Sequence, residues 1–174
     1  AVLFGGAVAV LPVFAKEVLR TGPMGLGALR AAPAVGSVLM GLTLAHLPPL
    51  RRAGRTLLVC VAAFGVFTIA FALSRTFLLS LLLLAASGAV DNVSVVLRAT
   101  LLQTLTPEHM LGRVSSVNQV FIGSSNEIGA FESGLAARLM GLVPSVVFGG
   151  CMTLLVVAFT TWKVPELRKM DRIG

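Results

Sequence analysis

Charge is scarce in this sequence, and so are the residue groupings that build catalytic or metal sites. Asp, Glu, Lys and Arg together supply 12% of the 174 residues, against roughly 25% in an ordinary soluble domain. Hydrophobic residues supply 56%. A soluble chain of this length could not hide that much apolar surface, whereas a bilayer replaces water as its outer solvent. The two cysteines, Cys60 and Cys151, lie in separate apolar runs with no second Cys or His near them. That spacing excludes a CxxC redox pair and a zinc site, and leaves both as small buried hydrophobes. His46 and His109 stand at the edges of apolar runs without a second ligand at metal spacing. No nucleophile elbow, phosphate loop or HExxH occurs, and Ser115, Ser116, Ser124 and Ser125 have no histidine close in sequence. No enzyme activity, metal or cofactor is therefore expected. No signal peptide is expected within these residues, since neither a basic leader nor a small-residue cleavage site precedes a soluble body. The sequence opens at Ala1 inside a short apolar run and reads as a piece cut through a helix.

What the chain does contain is a series of six apolar segments. They run from about Ala1 to Phe14, Ala28 to Leu47, Leu57 to Leu73, Phe77 to Leu105, Val114 to Leu139 and Val143 to Trp162, and a charged tail (163–174) follows. The first is too short to cross roughly 30 Å of hydrocarbon at about 1.5 Å per residue. The fold expected is an all-α, polytopic transmembrane bundle of six helices with the first truncated, forming one domain. Ser74-Arg75-Thr76 and Met140-Gly141-Leu142 are links short enough to make sequential helices antiparallel. Longer connections fall at Ala15–Gly27, Pro48–Thr56 and Thr106–Arg113. In the last of these, Thr106-Pro107-Glu108 offers a cap residue, a proline for the first helical position and an early acid, which predicts a short helix there. Trp162 closes the sixth segment where an indole suits the membrane interface.

The formal net charge is +7. The basic residues form no stripe interleaved with aromatics, so nucleic acid is not an expected partner. They fall mainly between the apolar runs, where basic residues set membrane orientation. Arg51, Arg52, Arg55, Arg113, Lys163, Arg168, Lys169 and Arg172 fall on one side; Lys16, Arg20, Arg30, Arg75 and Arg138 fall on the other. The first, richer side is expected to be cytoplasmic, together with the C-terminus.

Ionisable residues inside the spans are unevenly placed. The third segment, LLVCVAAFGVFTIAFAL, and the sixth, VPSVVFGGCMTLLVVAFTT, have none. The fourth carries Asp91, Asn92 and Arg98, and the fifth carries Asn118, Ser124, Ser125, Asn126, Glu127 and Glu132. Segments three and six can face lipid all round; four and five need a polar interior or a wet cavity. A charge at the bilayer centre costs about 2.5–3.5 kcal/mol on insertion scales. Asp91, near mid-span, thus reads either as a carboxylate that titrates or contacts substrate, or as a polar packing group neutralised in the bundle. Glu127 is also near mid-depth, and Asn126 beside it points about 100° away. Glu127 and Glu132 splay by roughly 140°, so they are not expected to share a site; Glu132 alternatively pairs with a neighbouring helix. Arg98 lies two turns from Asp91 on about the same face. The rise of roughly 10.5 Å predicts no firm contact between them, leaving Arg98 to snorkel or to hold an anionic substrate. The pairs Ser125/Gly129 and Ala130/Gly134, with Gly36 and Gly41, favour close packing of backbones.

The segment GLTLAHLPPLRRAGRTLL (Gly41–Leu58) resembles the repeated cytoplasmic motif of the major facilitator superfamily between helices eight and nine. Gly41 matches at the helix end and Arg51, Arg52, Gly54 and Arg55 match in the loop. Ala45 stands where the motif has an acid, and the Gly–Arg pair is displaced further along. Thr106-Pro107-Glu108 followed by Gly112-Arg113-Val114 resembles the link before helix eleven in enterobactin-exporter-like members, and Ser124–Gly134 is similar to a subgroup of the same family. The resemblance covers nearly the whole chain as helices seven to twelve. It implies two six-helix bundles with a midplane cavity bordered by helices seven, eight, ten and eleven. It also implies an absent N-terminal half as partner, the inner membrane as location, and proton-coupled export of siderophores or drug-like small molecules. Asp91, Asn92, Arg98, Asn126, Glu127 and Glu132 are the expected proton or substrate path. The competing reading is a non-transporting sensor or scaffold that keeps the half-fold.

Overall fold

The computed structural model describes residues 6–46 and 53–163. Arg51, Arg52 and the tail basic residues Arg168, Lys169 and Arg172 lie outside the described residues. Within them the chain forms helices and no strand: α1 (Gly6–Glu17), α2 (Pro23–His46), α3 (Ala53–Leu73), α4 (Phe77–Leu105), α5 (Leu111–Met140) and α6 (Leu142–Lys163). A single 3-10 turn, Glu108–Met110, leads into α5. The fold is a multi-pass helical membrane bundle.

Helix ends depart from the apolar runs where polar residues extend a helix beyond the hydrocarbon. The second helix begins at Pro23, since a proline needs no amide partner in the first turn. The third begins at Ala53 and takes in Arg55. At Thr106-Pro107-Glu108 the expected cap is not made. Thr106 is extended and ends α4, Pro107 is extended outside the turn, and neither end of the turn has a side-chain cap bond. Between α5 and α6 the link shrinks to Gly141, whose φ of 90° is open to glycine and whose amide donates to the Ala137 carbonyl at 3.1 Å.

Of these helices, α2, α3, α4 and α6 are long and apolar enough to cross a membrane. The described part of α1 has 12 residues. The fifth has the length, with 30 residues, but its polar side chains keep it below the apolarity of a free-standing span. Only 17% to 33% of the four spans is buried inside the bundle, so most of their Leu, Val and Phe surface is left for lipid.

Packing is organised around α4. It lies along α2 on one side and α3 on the other; α3 packs in turn on α6, and α5 packs on α1 and α6. Five helices meet in one apolar cluster containing Leu11, Phe14, Leu29, Phe71, Leu84 and Val146. The rings of Phe14 and Phe71 tilt together with centroids 4.5 Å apart.

The contact between α2 and α4 is the closest in the bundle. Gly36 faces the backbone carbonyl of Ala85, and Gly88 faces that of Pro33; a Cβ at either would collide with backbone that has no flexible end to move. Ser37 Oγ donates to the Gly88 carbonyl at 2.9 Å, and Asn92 Nδ2 donates to the Ser37 carbonyl at 2.7 Å. Gly41 then faces the Asn92 amide. The order 33–88, 37–92 and 41–92 makes the two helices parallel. By contrast Gly134, expected to pack closely, has nothing near it among the described residues, while Gly129 is buried.

Gly88→Ala should lower stability by about 1–3 kcal/mol through overpacking. Gly27→Ala, where the added Cβ meets nothing within 4 Å, should be neutral or slightly stabilising. Thermal unfolding of the detergent-purified protein checks both.

Candidate functional site

The polar residues of α4 are held by the helix itself and by α2. Ser94, buried, donates its hydroxyl to the Asp91 carbonyl at 2.8 Å and lies 3.3 Å from Asp91 Oδ1. One turn on, Arg98 Nε donates to the Ser94 carbonyl at 3.1 Å and its Nη2 to Ser94 Oγ at 3.3 Å. The same nitrogen reaches Asp91 Oδ1 at 3.9 Å. The rise predicts no firm contact; the two ions meet only at this loose distance, with Ser94 between them. Helical side chains lean toward the N-terminus, so the long Arg98 side chain folds back along α4 and closes most of the gap.

Both side chains are about half exposed, 53% for Arg98 and 51% for Asp91. In water such a pair is worth roughly 0.2–1 kcal/mol. At membrane depth the alternative for either ion is lipid, at about 2.5–3.5 kcal/mol, so the pair and its Ser94 bridge matter more there.

Asp91 also lines a cleft of about 230 Å³ formed where α2 and α3 both pack on α4 far more than on each other. The α4 floor is Leu84, Ser87, Gly88 and Asp91, at the i, i+3, i+4, i+7 spacing of one helical face. Pro33, Ala34 and Ser37 form the α2 wall; Phe64, Phe67, Thr68 and Phe71 form the α3 wall.

Asn92 faces away from the cleft and is consumed by its bond to α2, so it serves helix packing. The acids of the fifth helix are elsewhere. Asn126, Glu127 and Glu132 are exposed, and among the described residues neither acid has an ion-pair partner. Since α5 packs on α1 and α6 while α4 packs on α2 and α3, the expected path residues fall into two separate groups. Of the loop-motif positions, Gly41 sits against Asn92, Gly54 is buried and Arg55 is exposed. Sequence reading missed Ser37, Ser87, Ser94 and Thr68. Their signal was available: on α4, 84, 87, 88, 91, 94 and 98 all fall on one helical face, with Ser87 and Ser94 one turn either side of Asp91.

Comparison with known proteins gives a consistent answer. The family model described as "Transmembrane secretion effector", of the major facilitator superfamily, matches residues 1–174. The chain is 31% identical over 144 residues to the enterobactin exporter EntS of Citrobacter koseri, covering 83% of this chain and 35% of that protein. It is 32% identical over 146 residues to EntS of Escherichia coli O81, with the same coverage. It is 29% identical over 144 residues to EntS of Salmonella paratyphi A, again covering 83% and 35%. The chain thus spans about a third of the length of the curated relatives it matches. No solved structure gives a significant match.

Replacing Asn92 by Leu removes the side-chain bond to α2 while keeping bulk. A loss of about 0.6–1.7 kcal/mol is expected, the range for interhelical hydrogen bonds in membranes, read as a lower unfolding midpoint in detergent.

Proposed function

The chain belongs to the transmembrane secretion effector family of the major facilitator superfamily, and from that membership we propose that it forms the C-terminal six-helix half of a proton-coupled exporter of small molecules. The observation that carries the reading is the character of α5. It is 30 residues long, yet Asn118, Gln119, Ser124, Asn126, Glu127 and Glu132 are all exposed on it. Hydrocarbon does not tolerate such a surface, whereas a wet passage or a second helical bundle does. A second six-helix half placed against α5 would supply both, with the substrate moving between the halves.

Asp91 is the proposed coupling group. It is an acid at mid-span, half exposed, and it has an intrahelical cation to leave when it takes a proton. The cargo proposed is a siderophore or a drug-like molecule, which the relatives described as enterobactin exporters support. Arg55 and Arg113, with the basic residues near them in sequence, support a cytoplasmic C-terminus in the inner membrane.

The test is efflux of a panel of siderophores and dyes from cells expressing the complete gene, with and without a protonophore. Protonophore-sensitive efflux of any member is the expected result; none, with insertion verified, would overturn the exporter reading in favour of a sensor or scaffold. In the same assay Asp91→Asn should reduce the protonophore-sensitive component to background with membrane insertion unchanged. Efflux that keeps its wild-type level across pH would remove Asp91 from the coupling path.

A further inference from the structure

The cleft between α2 and α3 has a hydrogen-bonding character that none of its residues reveals alone. Three hydroxyls line it, and each has already given away its proton. Ser37 donates to the Gly88 carbonyl at 2.9 Å, Ser87 to the Leu84 carbonyl at 2.7 Å and Thr68 to the Phe64 carbonyl at 2.9 Å. What remains on each oxygen is lone-pair capacity. The fourth polar group, Asp91, is as a carboxylate an acceptor and not a donor. Its contacts with Ser94 and Arg98 both fall on Oδ1, which leaves Oδ2 for a ligand. The α2 and α3 walls bring no titratable or charged side chain to the space. The cleft therefore offers acceptors and no donor, and the remaining wall is aromatic: Phe64, Phe67 and Phe71, whose ring faces carry negative potential.

We infer that this cleft is a binding site for a small aromatic ammonium ion, with the N–H groups on Asp91 and the hydroxyl oxygens and the ring against the phenylalanines. Size sets an upper limit. The volume of about 230 Å³ is below the roughly 300–1,000 Å³ of pockets that hold drug-sized ligands, so the space matches a compact arylalkylamine better than a large siderophore. An anion is disfavoured twice, by the carboxylate and by the lack of any donor on the walls. Arg98 does not block the cation. It approaches the carboxylate from the following turn, at 3.9 Å, and a ligand ammonium on Oδ2 would share Asp91 with it.

The inference deepens the exporter reading by naming a ligand class for the Asp91 region, but it can be tested apart from transport. Binding of radiolabelled phenethylamine is measured on the complete protein purified in detergent, where no gradient exists, alongside phenylacetate and 2-phenylethanol. Saturable binding of the ammonium ion, with the anion and the neutral alcohol at least tenfold weaker, is expected. Asp91→Asn should weaken ammonium binding by roughly tenfold to a hundredfold, the worth of a charged hydrogen bond. Phe67→Leu, which keeps apolar bulk and removes a ring, should weaken it by roughly threefold to tenfold. This variant carries the test if Asp91→Asn fails to insert. Equal binding of all three probes, no binding of the amine, or binding unaffected by the substitutions would overturn the site. A protein that binds the amine yet shows no protonophore-sensitive efflux would keep the site and lose the exporter; efflux without amine binding would do the reverse.

Discussion

The parallel crossing of α2 on α4 fixes most of what is distinctive about this bundle. Two glycines on opposite helices, Gly36 and Gly88, each lie against the other helix's backbone. In lipid there is no hydrophobic drive between helices, because lipid tails are as apolar as leucine. Association then depends on close packing and interhelical hydrogen bonds. Ser37 and Asn92 provide the second term with a reciprocal pair of bonds across the crossing. The register so fixed is tight, since sliding either helix by one residue would break both bonds and drive a Cβ into backbone.

Asp91 inherits its position from that register. It neighbours Asn92 in sequence but lies about 100° around the helix, so anchoring Asn92 to α2 turns Asp91 toward α3. The third helix cannot close the gap completely, because α2 already occupies one flank of α4 and the α3 face opposite is built from bulky Phe64, Phe67 and Phe71. The cleft is thus a consequence of two helices packing on a third and hardly on each other. The Ser94–Arg98 arrangement is local to α4 and needs no neighbour, which makes the ion pair a property of the helix and the cleft a property of the bundle.

The architecture was legible in the sequence because its main signal, long apolar runs broken by short polar links, is strong in α2, α3, α4 and α6. Two kinds of feature were not. Interhelical contacts involving Ser37, Gly88 and Pro33 join residues about fifty positions apart, and no periodicity within one helix announces them. Axial rise predicts no firm Asp91–Arg98 contact, and the loose approach at 3.9 Å comes from the length and lean of the Arg98 side chain, which rise does not describe. Glycine was a weak guide for a related reason. The small-residue spacing of Ala130 and Gly134 is as good as any in the chain, yet Gly134 has no close neighbour among the described residues while Gly88, which belongs to no such motif, lies directly against the α2 backbone at the crossing.

The separation of the acids bears on how the two polar helices divide their work. Three acids on two polar helices could meet in one cluster of like charge. They do not: α4 and α5 pack on different partners, and Asp91 has its own counter-ion. The charge of Asp91 is thus met within α4 itself, by Arg98 and the Ser94 hydroxyl. The exposed acids of α5 lack that local compensation among the described residues. Their charge has to be met by water or by other protein, and not by lipid.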